Sequence, residues 1–302
     1  MACWLQASAK GYACLLAAML LASGGGGLIE MSVSSLISDR MPHRRTAALN
    51  LTQLVFGLSA ASPLLLIWLL RATGTWRFGF MGLGLVGLAL ALARVLAAPQ
   101  PKIAPNERRS DAVGFLTVIR YPRLWAIALG QAAYVFAEAG LLTWAVTYLV
   151  MIRGNTPAQA HSALSIFWVT LVAGRLLCGV YSSCLRPDRL LAMLSVTAAL
   201  GIGLVLLAPI GRFSWILLGL LGIPYSGIFG TILAYAGDAY EHSSGTVFGV
   251  VMASGALGAI VGPWSLGVLA EATRLDVALG LIAVALLGTG LIFHRLGPST
   301  RL

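Results

Sequence analysis

Two carboxylates lie where a carboxylate is costly. Glu30 and Glu138 each fall inside a long apolar run of this 302-residue chain. A charged side chain at the centre of a bilayer costs roughly 2.5–3.5 kcal/mol on insertion scales, so such a group faces water, meets a partner or takes up a proton. Alternation between the last two is the chemistry of a proton-coupled carrier. Glu30 is nine residues before Asp39, about 13 Å along a helix. Glu138 lies fifteen residues from both Arg123 and Arg153, the basic residues bracketing its run, and therefore at mid-depth. The plainer alternative for both is a carboxylate that only hydrogen-bonds a neighbouring helix.

Other polar residues share these runs. Gln131, Tyr134 and Glu138 lie on one helical face by i, i+3, i+7 spacing. Such a stripe is either a cavity wall or glue between helices. Asn50 and Gln53 share a face, and their amides can bond solute hydroxyls or carboxylates, or simply pack. Tyr225, Trp144, Tyr148, Trp168 and Trp264 offer rings for stacking on a solute, or mark the membrane interface. Arg175 is the basic residue lying deepest inside an apolar run, and Asp188 and Asp238 bound neighbouring runs on the same side. An Arg175–Asp pair there would latch one end of the molecule as a gate; snorkelling to the headgroups is the alternative. Gly24–Gly27, and Gly255, Gly258, Gly262 and Gly267, are expected to permit close helix approach or a kink.

The elements that position these residues follow from composition. The chain is 59% hydrophobic and 10% charged, with mean hydropathy +0.89. Soluble domains carry about 25% charged residues, so the solvent here is the bilayer. Nine apolar runs, at 11–38, 47–70, 76–98, 123–150, 157–185, 188–210, 213–237, 244–270 and 274–296, are each long enough to cross as a helix. The expected fold is all-α and polytopic, with nine transmembrane helices. Continuous apolar runs argue against a barrel, whose strands alternate. The stretch from Lys10 through Leu21 has the look of a signal peptide, but apolar character resumes at Leu28-Ile29 and favours one long helix.

The net charge of +10 lies in short gaps between runs rather than along one polar face, which argues against nucleic acid. The four cysteines, Cys3, Cys14, Cys178 and Cys184, form no CxxC pair and read as small apolar residues. No metal or cofactor is expected. Acids are mostly isolated, which argues against a metal-dependent membrane enzyme. Alternate connections carry thirteen basic residues against six, so the stretch at 99–122 and the C-terminus are expected on the cytoplasmic side, with the chain in the inner or plasma membrane. The 99–122 stretch, with three prolines between 99 and 105 and Glu107-Arg108-Arg109, reads as a linker between 1–98 and 123–302, and 113–119 is either a surface helix or plain loop.

A shift of 200 residues brings Gly27-Leu28-Ile29 onto Gly227-Ile228-Phe229, Pro63 onto Pro263, and Ala72-Thr73 onto Ala272-Thr273. The runs in 1–98 thus align with the last three of 123–302, as expected of parallel six-helix repeats. On this reading 123–302 is a complete six-helix bundle and 1–98 a three-helix remnant.

The segments Gly27-Leu28-Ile29-Glu30, Ser38-Asp39-Arg40-Met41-Pro42, Leu49-Asn50-Leu51-Thr52-Gln53 and Phe56-Gly57 resemble the fourth and fifth helices of the Major Facilitator Superfamily, in its fucose–proton symporter branch. Trp76-Arg77 resembles the start of the sixth helix, Gln131 to Val135 the seventh, Gly174-Arg175 the eighth, and Pro224-Tyr225 the region of the tenth. The resemblance implies helices equivalent to the fourth through twelfth. It implies that Glu30 stands at an acidic position tied to proton coupling, and that Gln53 stands near the sugar. Phe56 departs from that branch's Asn and Glu138 from its Gln, so fucose itself is not implied. The expected function is secondary transport of a small polar, sugar-like solute with protons. Efflux antiport and an inert or regulatory remnant are the alternatives. The expected partners are the solute, protons and the lipid bilayer.

Overall fold

The computed structural model describes residues 1–59, 69, 71–96, 115–181, 185–207 and 213–299. Hydrocarbon offers backbone groups no hydrogen bonds, so apolar runs close their own as helices. The helices are α1 (Ala2–Ser8), α2 (Tyr12–Arg40), α3 (Arg45–Ser59), α4 (Arg77–Leu96), α5 (Phe115–Val118), α6 (Pro122–Met151), α7 (Pro157–Tyr181), α8 (Pro187–Leu207), α9 (Ser214–Leu220), α10 (Gly222–Ser226), α11 (Ile228–Ala239), α12 (Ser244–Ala272) and α13 (Leu275–Leu296). Among the described residues, seven helical stretches are long and apolar enough to cross a membrane, with α9–α11 acting as one, and a shorter apolar helix covers Arg77–Ala93. The span expected over 47–70 is described as α3, and Pro63 lies outside the described residues.

The chain divides into two compact units, Met1–Ser32 with Ser59–Ala112, and Val33–Leu58 with Val113–Leu302. Boundaries fall within α2 and α3 as well as in the 99–122 stretch, because residues 33–58 bond to the later helices.

In the first unit α1 packs on α4. Arg77, opening α4, donates to the carbonyls of Ala7 (2.8 Å) and Ala9 (2.9 Å) and so satisfies groups left open at the end of α1. The Trp4 indole fills the space beside Gly84. The close approach expected at Gly24–Gly27 is not made: no described atom lies within 4 Å of where a Cβ would stand at any of the four. Glycines leave a helix surface open, but they supply nothing that draws a neighbour in.

In the second unit α6 packs against α12, α13 against α8 and α6, and α7 against α9 and α10. The α9–α11 stretch is the core of this set, with 72% of its apolar window buried. Pro224 lacks the N–H that would continue the helix, and the stretch breaks into three pieces. Hydroxyls repair the break: Thr170 donates to the Gly219 carbonyl (2.7 Å) and Ser226 to that of Ile223 (2.6 Å). The α6–α12 seam is as tight as backbones allow. A Cβ at Gly258 would collide with the Ala132 carbonyl, and one at Gly262 would stand 2.6 Å from the Phe136 carbonyl oxygen. Here the close approach expected of glycines is made. Large apolar side chains such as Leu129, Val169, Leu204 and Ile260 face outward, as a lipid solvent permits.

Arg153 fastens the far end of this unit. Its Nε donates to the Tyr148 hydroxyl (2.7 Å), and its Nη2 donates to the carbonyls of Val205 (2.9 Å) and Leu206 at the end of α8. Tyr148 is fully buried and Trp144 donates to the Pro263 carbonyl (3.0 Å), so both rings are spent on packing. Arg153→Met removes the charge and keeps much of the bulk. We expect at least the loss of one charge-assisted bond, about 1.5–3 kcal/mol, read as a lower unfolding midpoint in detergent.

Candidate functional site

The site is built around one face of α6. Tyr134 is fully buried, and its hydroxyl donates toward Glu138 Oε1 (3.0 Å) and the Tyr225 carbonyl (3.1 Å). The Tyr225 carbonyl lies in the short α10 piece, where it also accepts the Gly227 backbone N–H. The Tyr225 ring lies 6.1 Å from that of Tyr134 and 5.7 Å, edge-on, from Phe167. The three rings form a rigid aromatic wall between α6, α7 and α10.

Beside this wall is unspent hydrogen-bonding capacity. Both amide atoms of Gln131 and the hydroxyl of Tyr225 are buried with no hydrogen-bond partner among the described residues. Each such group costs about 1–3 kcal/mol, and native structures leave few of them. Gln131 rests against Gly255.

α3 adds amides. Asn50 and Gln53 are buried. Asn50 Nδ2 donates to the Thr46 carbonyl (2.9 Å) and to Thr231 Oγ1 (3.4 Å), while its Oδ1 has no partner among the described residues. Arg175, buried in α7, donates through Nη1 to the Gln53 carbonyl (2.6 Å) and stands within electrostatic reach of Glu138 and Tyr134. The structure thus brings Gln131, Tyr134, Glu138, Tyr225 and Arg175 together, with Gln53 tied on through Arg175. Glu30 is half-buried in the part of α2 that belongs to the first unit.

Both aspartates expected to latch Arg175, Asp238 and Asp188, make ion pairs with other arginines. Asp238 forms an ion pair with Arg45, and Asp188 pairs with Arg186 (2.8 Å). Arg175 lies six residues, about 9 Å, up α7 from its end, whereas Asp238 sits in the last turn of α11. Arg45 is only 4% exposed, and its Nε also donates to the Ser38 carbonyl (3.1 Å). Beside it Ser244 donates to Asp39 Oδ2 (3.1 Å). The two contacts are crosswise. Each begins at an aspartate near a helix end and ends on the first residue of a helix that follows a one-turn 3-10 segment, Pro42–Arg44 or Glu241–Ser243. Asp39 and Asp238, like Arg45 and Ser244, stand 199 residues apart. Arg45 was legible from sequence only as a loop charge; the near-200 repeat was the signal that could have exposed it.

Asp238→Asn is expected to cost about 1.5–3 kcal/mol by weakening bonding to a buried guanidinium. Asp276→Asn breaks the exposed Arg274 pair and is expected to cost about 0–1 kcal/mol. Unfolding midpoints of the two variants in detergent, compared side by side, check this.

Helices of this length, apolarity and order define a multi-pass membrane fold. The Major Facilitator Superfamily family model matches residues 1–263, and the chain belongs to that superfamily. A Yersinia pestis protein described as an uncharacterized MFS-type transporter is 26% identical over 169 residues; the match covers 55% of this chain and 44% of that relative, less than half its length. A crystal structure of a variant of the E. coli fucose:proton symporter, FucP, superposes with a TM-score of 0.78 at 17% identity, covering all of this chain and 80% of that one. A structure of FucP in the outward conformation gives 0.79 at 17% identity, over 99% and 79% of the two chains. The fold is shared with both.

Proposed function

We propose that the chain carries a small polar, sugar-like solute across the membrane by alternating access, coupled to protons. The observation behind this reading is the unspent hydrogen-bonding capacity of Gln131 and Tyr225 beside the Tyr134–Glu138 pair. An amide and a phenol together present donors and acceptors, and a sugar hydroxyl needs both. Tyr134, Asn50 and Gln53 complete the solute contacts. Glu30 and Glu138 take and release the proton. Symport is the direction supported by the likeness to a fucose:proton symporter.

The architecture that goes with this has nine spans, three in 1–98 and six in 123–302, joined by the linker at 99–122. The linker and the C-terminus face the cytoplasm, in line with the thirteen-to-six bias of basic residues. Arg45–Asp238 and Ser244–Asp39 close that end, and Arg175 on the Gln53 carbonyl straps α3 to α7 above them. These contacts part when the site opens toward the cytoplasm.

The test exploits the unpartnered amide. Gln131→Leu removes a buried polar group that has no partner, so the protein is expected to keep or gain stability while solute affinity falls about 5- to 100-fold. Binding of a panel of monosaccharides by tryptophan fluorescence, beside thermal unfolding of the same samples, reads both. Unchanged affinity for every sugar the parent binds, or no sugar bound by the parent, sinks the assignment.

A further inference from the structure

At the end of the second unit that carries the Arg45–Asp238 pair, a cavity of 690 Å³ opens between α3 and the facing ends of α7 and α8. It plays no part in the solute site. Its wall is graded along α3. The outer layer is His43 and Arg44, both exposed, with Arg45 behind them. The inner layer is Ala47, Ala48 and Leu51, facing Gly179 of α7. Leu51 lies six residues, about 9 Å, deeper than Arg45 along the helix. Among the described lining residues the one acid, Asp238, is neutralised by Arg45, which leaves Arg44 as a surplus positive charge. Arg45 also holds a donor in reserve. Its Nη2 is buried with no hydrogen-bond partner among the described residues, while Nη1 and Nε are committed to Asp238 and Ser38.

A basic mouth over an apolar floor, at the end of a membrane helix, matches an amphiphile with an anionic head. We propose that this cavity binds one anionic phospholipid. Its phosphate sits against the exposed Arg44 and His43, and the start of an acyl chain lies over Ala48 and Leu51. Gly179 keeps the inner layer open: the Leu51 side chain already lies 3.3 Å from where a Cβ would stand there. A water-soluble phosphate would use the mouth and leave the floor bare. The site is independent of which solute the chain carries.

The full chain is placed in nanodiscs of equal parts phosphatidylglycerol and phosphatidylcholine, released into mild detergent, and its retained lipid counted by native mass spectrometry. Phosphatidylglycerol is expected in excess, and Arg44→Gln is expected to lower its retention about fivefold. Arg44 is exposed and outside the helix cores, so the variant folds, which size exclusion verifies. Leu51→Gln, on the floor, is expected to lower retention while leaving the mouth charged. Equal retention of the two lipids, or retention unchanged by Arg44→Gln, overturns the proposal. Displacement of the lipid by inorganic phosphate at matching concentration also overturns it, in favour of a free-phosphate site.

Discussion

Gly258→Leu is expected to leave no folded protein. The obstacle at this position is not a side chain that can turn aside but the Ala132 carbonyl, with the Phe136 backbone nitrogen 3.0 Å from the same point. To admit even a methyl group, α12 and α6 have to separate along their shared seam, and Gly262 one turn on, against the Phe136 carbonyl, allows no pivot. Overpacking costs about 1–3 kcal/mol where neighbours yield, and more where they do not. The loss spreads, because without an aqueous driving force helix association in lipid depends on this packing. Size exclusion in detergent reports the result as aggregate in place of a single peak. Gly288→Ala is the control: nothing lies within 4 Å of its Cβ position, and alanine favours the helix by about 1 kcal/mol. A Gly258→Leu protein as well folded as Gly288→Ala would mean that the seam is not the foundation of the fold.

Glu30→Gln is expected to abolish gradient-driven accumulation of solute while sparing exchange. An amide keeps the carboxyl shape but has no proton to load and release. One proton moving down 100 mV supplies about 2.3 kcal/mol, enough for about a fiftyfold concentration ratio. With coupling gone, the ratio falls to one. Counterflow, which needs no net proton movement, survives. Glu138→Gln is expected to do less, since Tyr134 still finds an acceptor in the amide oxygen. Proteoliposomes with and without a pH gradient separate these outcomes. Unchanged accumulation in Glu30→Gln removes it as the coupling group, and an equal loss of counterflow assigns it to binding or folding instead.

The helices of the second half were readable because a bilayer imposes a minimum length. The run at 123–150 became Pro122–Met151, and that at 274–296 became Leu275–Leu296. The α6 stripe was readable because i, i+3, i+7 spacing is local. What was not readable is which helix end meets which. Arg45 and Asp238 are 193 residues apart, and Asp238 as readily suggested Arg175, which lies nearer in sequence. Nor was it readable that the Tyr225 carbonyl would meet the Tyr134 hydroxyl, 91 residues away in the chain. For the four glycines of α2, permission to pack is visible in sequence but a partner is not, and none of the described residues stands within 4 Å of their Cβ positions.

The crosswise contacts at Asp39 and Asp238 carry a historical consequence. If 39 and 238, and likewise 45 and 244, are copies of two positions in one ancestral turn, duplication of that turn supplied both acceptors and both donor positions at once. Two equivalent bonds would then have existed before either was refined. Divergence afterwards needed only one donor to become a charged arginine and the other to become a neutral serine. A fastening that began as two equal clasps has become one strong and one weak, and descendants of the duplication that kept both clasps alike would preserve the older form.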